Sequence, residues 1–194
     1  MKVQHKVLEV ITRYKNRFPQ EAKSVEAFEN FVAGTNNDAL YSRKNFTGHI
    51  TASGAILNRE GSKILLLKHK FLGIWLLPGG HVDPEDASII DAAYREIKEE
   101  TGIHKDDLIP LSFTVSPEPI ELDSHPIPER PEKQELKHYH HDFRYAFMYK
   151  GEEKDIEIDP DESDAIQWVE LEKLEDNERF AKMLPKLKVL KSMM

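Results

Sequence analysis

The chain has 194 residues, 39% of them hydrophobic and 32% charged, with a formal net charge of −8 and no cysteine. This length and balance suit one folded domain with a hydrophobic core and a terminal extension, and exclude disorder as the main state. The absence of cysteine excludes disulfides, thiolate zinc sites and cysteine nucleophiles, and the net acidity argues against a general nucleic-acid surface, which needs a basic face.

No apolar run approaches the roughly 20 residues that span a bilayer, so no membrane segment is expected. The start, Met1-Lys2-Val3-Gln4-His5-Lys6, lacks the long apolar segment of a signal peptide, and a cytoplasmic location is the expectation. From Val3 to Phe18 the apolar positions Val7, Leu8, Val10, Ile11 and Tyr14 suit one helix face, which Pro19 ends. A second helix is expected from about Ala22 to Val32, with Gly34-Thr35-Asn36-Asn37 as its stop and a loop. Residues 1–45 are therefore read as a helical lead-in that caps the core or makes a homodimer contact, and 46–194 as the main domain.

His49 to Leu57 is strand-like, Asn58-Arg59-Glu60-Gly61 reads as a turn, and Ile64-Leu65-Leu66-Leu67 as the second arm of a hairpin. Ile74-Trp75-Leu76-Leu77 is another short strand, ended by Pro78-Gly79-Gly80. A helix is expected from Ser88 to Thr101, closed by Gly102. Strands follow near Leu111–Val115, Tyr139–Tyr149 and Ala165–Val169. The stretch from Pro117 to Pro131, with five prolines, reads as a long loop, and Leu171 to Leu190 as helical with a break at Pro185. Strands interleaved with a central helix give an α/β class with a mixed sheet.

The stretch from Gly80 to Ile103 carries the chemistry. Ser88 is a good N-cap with Asp91 three residues on, and Ile89, Ala92, Ala93 and Ile97 form a small apolar face suited to close packing on a sheet. Glu96, Glu99 and Glu100 stand at i, i+3 and i+4 and share one face. Alone, three such carboxylates repel and resist ionisation; a hard divalent cation reverses the sign. A metal there neutralises phosphoryl charge and lowers the pKa of a bound water, and a carboxylate not used as a ligand takes the proton. Gly79 and Gly80 let the backbone approach a ligand closely. Arg95 is expected to pair with an acid of the preceding loop and fix that loop on the helix. The competing reading is a solvated acidic helix face.

Arg95, Glu96, Ile97, Glu99, Glu100, Gly102 and Ile103 match the Nudix box in register, and Gly80 matches with a shift of one. The chain resembles the Nudix hydrolase family. The resemblance implies an α/β/α sandwich with a mixed sheet and N- and C-terminal helices. It also implies hydrolysis of a diphosphate linkage in a nucleoside diphosphate derivative, with Mg²⁺ or Mn²⁺. By it, Glu96, Glu99 and Glu100 hold the metal, with a carbonyl near Gly79, and Glu99, Glu96 and Arg95 serve catalysis. The box loop is one residue longer than the pattern, so Ala87 takes the usual Glu position and Asp86 or Glu85 is expected to partner Arg95.

Outside the box, His138, His140, Asp142 and Arg144 alternate with Tyr139, His141, Phe143 and Tyr145 and would share one strand face. Three readings compete: a substrate cleft with Arg144 for phosphate, a metal row, or a polar strand face with internal hydrogen bonds. With Asp123-Ser124-His125-Pro126-Ile127-Pro128, the row resembles a group of bacterial Nudix proteins that also carry a helical lead-in. Glu118, Asp142 and Glu162 are candidates for a further acidic ligand or base. Trp75 and Trp168 are candidates for stacking on a base, though a buried role is commoner, and His69 and His81 are read as support or surface residues. The partner expected is a small-molecule nucleotide, with nucleic acid entering only as a 5′ end. The alternatives are a non-catalytic nucleotide sensor and an isopentenyl-diphosphate isomerase, the latter disfavoured by the missing cysteine.

Overall fold

The computed structural model describes residues 3–131, 134–161 and 163–193. Eight strands form one mixed sheet: β1 (His49–Leu57), β2 (Lys63–His69), β3 (Trp75–Leu76), β4 (Gly79–His81), β5 (Leu108–Leu111), β6 (Glu121–Ile127), β7 (His138–Tyr149) and β8 (Ser163–Glu170). The order β3-β2-β1-β7-β5 is extended by β4 on β1, β6 on β7 and β8 on β2. β1 and β7 run parallel through the centre, His49 opposite His140 and Leu57 opposite Met148, while the other pairings are antiparallel.

Each central strand has two different faces, as the period of two requires. On β1, Ile50, Ala52 and Ile56 pack with Phe143, Tyr145 and Phe147 of β7 beneath three helices: α1 (Val3–Arg17), α2 (Glu26–Gly34) and α4 (Ile89–Thr101). On the opposite face Ala55, Leu57 and Ala146 pack against α5 (Leu184–Ser192) and the 3₁₀ turn Leu171–Leu174. The result is a sheet between helical layers, as expected of the α/β/α sandwich.

The lead-in helices belong to the first of these cores. Phe28 meets Phe143 edge-on at 4.9 Å, and Phe31 stacks on His141 at 4.1 Å. Gln4 of α1 donates to the carbonyls of Val32 and Thr35 at 2.8 and 2.9 Å, satisfying groups that the end of α2 leaves open. Lys186 of α5 reaches the lead-in and contacts Glu21 at 2.7 Å and the Tyr14 hydroxyl at 2.8 Å.

Several elements differ from the sequence expectation. α2 begins at Glu26, because Ala22–Val25 form turns after the 3₁₀ segment Pro19–Glu21. The loop expected after it contains α3 (Asn37–Leu40), capped by the Asn36 side chain on the Ala39 amide. β1 and β2 pair only at Leu57 and Ile64; β2 takes its longer ladder from β8. Pro78-Gly79-Gly80 does not simply end β3, since Gly79–His81 pairs with Thr51–Ser53 as β4. β5 lies at Leu108–Leu111, earlier than expected. The proline-rich stretch contains β6, where Pro126 is tolerated because the strand pairs on one side only, with β7. The C-terminal stretch is a 3₁₀ turn followed by α5, and Pro185 stands in the first turn of α5, where its missing N–H costs nothing.

Candidate functional site

α4 forms as its ends dictate. Ser88 accepts from the Asp91 amide at 3.3 Å, and Gly102 closes the helix in the left-handed region with its N–H on the Lys98 carbonyl at 2.9 Å. Ala92, Ala93 and Ile97 bury on the sheet, and Gly54 of β1 leaves room for Ile97, whose Cδ1 would lie 2.5 Å from a β-carbon there.

Glu96 and Glu100 are buried, 7% and 8% exposed, and both line a cleft of about 830 Å³. Glu100 Oε2 accepts from the Gly79 amide at 2.7 Å. Gly80 faces α4, and its missing β-carbon makes room for the Glu96 carboxylate. Glu99 shares the helix face, but its side chain is 57% exposed and is not part of the cleft lining. Arg95 binds the group together. It donates to Asp86 at 3.1 and 2.9 Å, to the His81 carbonyl at 2.8 Å, to Glu96 at 2.8 Å and to Glu99 at 3.1 Å. Asp86, through its hydrogen bonds, and then Glu96 hold the guanidinium above its ordinary pKa. Of the two acids expected to partner Arg95, Asp86 does so; its Oδ2 also accepts from the Asp83 amide at 2.8 Å and shapes the longer loop.

The second wall is the polar end of the sheet. Register places His49, Thr51 and Ser53 of β1 opposite His140, Asp142 and Arg144 of β7, and these opposite His125, Asp123 and Glu121 of β6. Directly paired residues share a face, so three short polar rows cross the sheet. Asp142 accepts from Thr51 at 3.0 Å, Ser53 at 2.7 Å and Arg144 Nε at 3.2 Å. Arg144 also donates to Glu121 at 3.2 Å, Asp123 at 2.7 Å and the Arg179 carbonyl at 3.3 Å. The four residues His138, His140, Asp142 and Arg144 all line the cleft, but Asp142 and Arg144 are committed to this internal network.

The histidines form the remaining part. His49 Nε2 and His81 Nε2 are 2.8 Å apart, and the ring of His49 lies 4.7 Å from His138 and 4.8 Å from His140. Burial, with His138 beside it, pushes His49 down to about 4; burial pushes His81 down to about 3 and lowers His140 further still. His69 accepts from the Phe71 amide at 3.2 Å and lines the cleft. The lining also has an apolar part, with Phe71, Leu72, Ile74, Leu76 and Leu77, and three arginines, Arg43, Arg130 and Arg179.

The other candidates lie elsewhere. Glu118 pairs with Arg13 at 2.6 Å, away from the cleft. Trp168 stacks against Tyr149 at 6.3 Å and donates to the Glu153 carbonyl, and Trp75 packs on the α5 core. Glu162 lies outside the described residues. Sequence reading passed over His49, Thr51 and Ser53 as site residues, although their alternation with Ile50 and Ala52 was visible; only the parallel register with β7 shows what that alternation faces.

Comparison with known proteins gives a consistent picture. The NUDIX domain matches residues 48–187. A Lactococcus lactis subsp. cremoris protein named "Probable DHNTP pyrophosphohydrolase" is 30% identical over 107 residues, 55% of this chain and 58% of that protein, so the match spans less than two thirds of that relative. A Bartonella tribocorum RNA pyrophosphohydrolase is 33% identical over 135 residues, 61% of this chain and 74% of that protein. The crystal structure of a C. elegans Ap4A hydrolase binary complex superposes with a TM-score of 0.52 at 22% identity, covering 74% of this chain and 96% of that one, a likeness of fold.

Proposed function

Because the chain belongs to the Nudix family, its NUDIX domain spanning residues 48–187, we propose that it hydrolyses a diphosphate linkage in a nucleoside diphosphate derivative. The observation that carries this reading is the placement of buried Glu96 and Glu100 against Gly79 and Gly80 in the wall of a cleft large enough for a nucleotide.

The residues fit a hard divalent cation, Mg²⁺ or Mn²⁺. Glu96, Glu99 and Glu100 offer oxygen donors from one helical turn, the Gly79 carbonyl lies on the adjoining strand, and the hollow at Gly80 is filled by a carboxylate and not by a side chain of its own. Bound there, such an ion neutralises charge on the phosphoryl oxygens and lowers the pKa of a water beside phosphorus. Arg95 holds Glu96 and Glu99 together against their mutual repulsion and ties both to the His81 carbonyl. The carboxylate of the trio least engaged as a ligand accepts the proton of the attacking water. The apolar lining from Phe71 to Leu77 suits the flat face of a base, and the lining arginines suit phosphate. His138 and His140 face the same space; Asp142 and Arg144 serve it by fixing the sheet floor beneath.

The test is product release from a nucleotide panel with Mg²⁺ and with Mn²⁺. The panel holds dinucleoside polyphosphates, nucleotide sugars, NADH, nucleoside triphosphates and capped RNA ends. At least one member is turned over, and Glu99→Gln and Glu100→Gln each remove nearly all of that turnover. Wild-type rates in both variants refute the site, and a panel that is bound but never cleaved favours a nucleotide sensor.

A further inference from the structure

We propose that His49, His138 and His140 form a second cation site in this cleft, an imidazole site for a Zn²⁺-class transition metal, distinct from the carboxylate face of α4. One ring nitrogen of each of the three residues lies within 4.8 Å of the other two. For comparison, tetrahedral nitrogen donors about 2.0–2.1 Å from zinc are about 3.3–3.4 Å apart, so small side-chain rotations close the set.

Two features mark these rings as ligands and not as core filler. First, His138 Nδ1 lies 2.7 Å from the Leu136 carbonyl, which only accepts. A proton on Nδ1 suits that acceptor, and this tautomer presents the bare lone pair of Nε2. A ligating histidine held by a backbone carbonyl through its other nitrogen is the usual arrangement around a metal. Second, His49 is 1% exposed and its Nδ1 makes no hydrogen bond of normal geometry, the backbone of Asn45 being the polar group beside the ring. Its Nε2 faces His81 Nε2 at 2.8 Å, a contact that admits one proton between two nitrogens. A buried, half-satisfied imidazole among four others is costly, and a cation accepting lone pairs removes the cost.

The sheet explains why the set exists. His49 and His140 are directly opposite in the parallel β1–β7 register, and His138 is two residues earlier on β7 and on the same face. His125 continues the row on β6, and its Nδ1 lies 2.9 Å from the Asp123 carboxylate, which sets its tautomer in the same sense. Imidazole donors select zinc and its neighbours over magnesium, whereas the α4 carboxylates select the reverse. The two sites are thus chemically separable. Three protein donors leave one tetrahedral position for water or for an oxygen of the molecule in the cleft.

The experiment counts metal and does not depend on turnover, so this inference and the hydrolase reading fail separately. The full chain with Glu96→Gln, Glu99→Gln and Glu100→Gln is stripped with chelator, dialysed against micromolar Zn²⁺, and its metal content measured. One zinc per chain is expected. Adding His138→Gln or His140→Gln lowers affinity at least about tenfold, with thermal unfolding of the metal-free proteins recorded to compare their folds. The same carboxylate-neutral protein loaded with Co²⁺ gives a second reading: an intense tetrahedral visible spectrum is expected. Zinc absent from the carboxylate-neutral protein, zinc retained equally after the histidine substitutions, or a weak octahedral cobalt spectrum overturns the site.

Discussion

A β-carbon placed on Gly80 would stand 2.5 Å from Glu96 Oε2 and 2.6 Å from its carboxyl carbon. Strand β4 and helix α4 therefore meet through a carboxylate that occupies a glycine's empty side. Gly80→Ala is expected to push Glu96 out of the cleft wall, lowering turnover at least about tenfold and raising the Mg²⁺ concentration needed for half-maximal rate. The thermal midpoint should move little, because only the end of one side chain has to shift. Unchanged metal dependence would show that the contact is incidental.

Asp86 and Glu85 were equal candidates for holding Arg95, and the structure separates them. Asp86 accepts two hydrogen bonds from Arg95 and one from the Asp83 amide, while Glu85 is exposed. Asp86→Ala should cost about 1–3 kcal/mol in urea unfolding, the range for stranding charged hydrogen-bond partners. Glu85→Ala should stay within about 0.5 kcal/mol. Equal effects would mean that the loop is not anchored through Asp86.

Lys186 is the buried cation that joins α5 to the lead-in. Its Nζ contacts Glu21 at 2.7 Å, Tyr14 Oη at 2.8 Å and the Ile120 carbonyl at 2.8 Å, and sits 4.1 Å above the Phe18 ring. Burial lowers its pKa, while Glu21 opposes that shift. Lys186→Met should cost about 3–5 kcal/mol, because Glu21 loses its cation and keeps only the Tyr14 hydroxyl. Glu21→Gln in the same chain should recover much of the loss. A double variant no more stable than the single would place the cost in packing instead.

Stability should fall on mild acidification. Burial holds His49 and His141 at about 4 in the folded chain, against about 6.5 when unfolded. A folded pKa below the unfolded one means that the unfolded chain binds protons first. The stabilisation is therefore complete above pH 6.5 and shrinks as pH falls toward 4, by about 1.4 kcal/mol per pH unit for each group across the window. Urea midpoints at pH 7.5, 6.0 and 5.0 measure it, and His141→Phe should flatten the slope. A flat profile from pH 7.5 to 5.0 would contradict the burial of neutral imidazoles.

Much of the helical site was legible in the chain. The i, i+3, i+4 spacing of Glu96, Glu99 and Glu100, the Ser88 cap and the Gly102 stop depend only on residues within one or two turns, so local geometry determines them. The alternation of β7 is equally local, and it correctly set His138, His140, Asp142 and Arg144 on one face.

What that face meets was not legible, because strand register is a long-range property. Nothing near His140 announces that His49, 91 positions earlier, is its parallel neighbour, or that β6 hides in a stretch of prolines. Only the folded sheet decides that Arg144 is surrounded by Glu121, Asp123 and Asp142, and that five imidazoles gather beside the carboxylates. Sequence thus determined the chemistry of the helix through short-range periodicity, and the tertiary structure decided the rest through pairings whose cost and reward are spread across the whole chain.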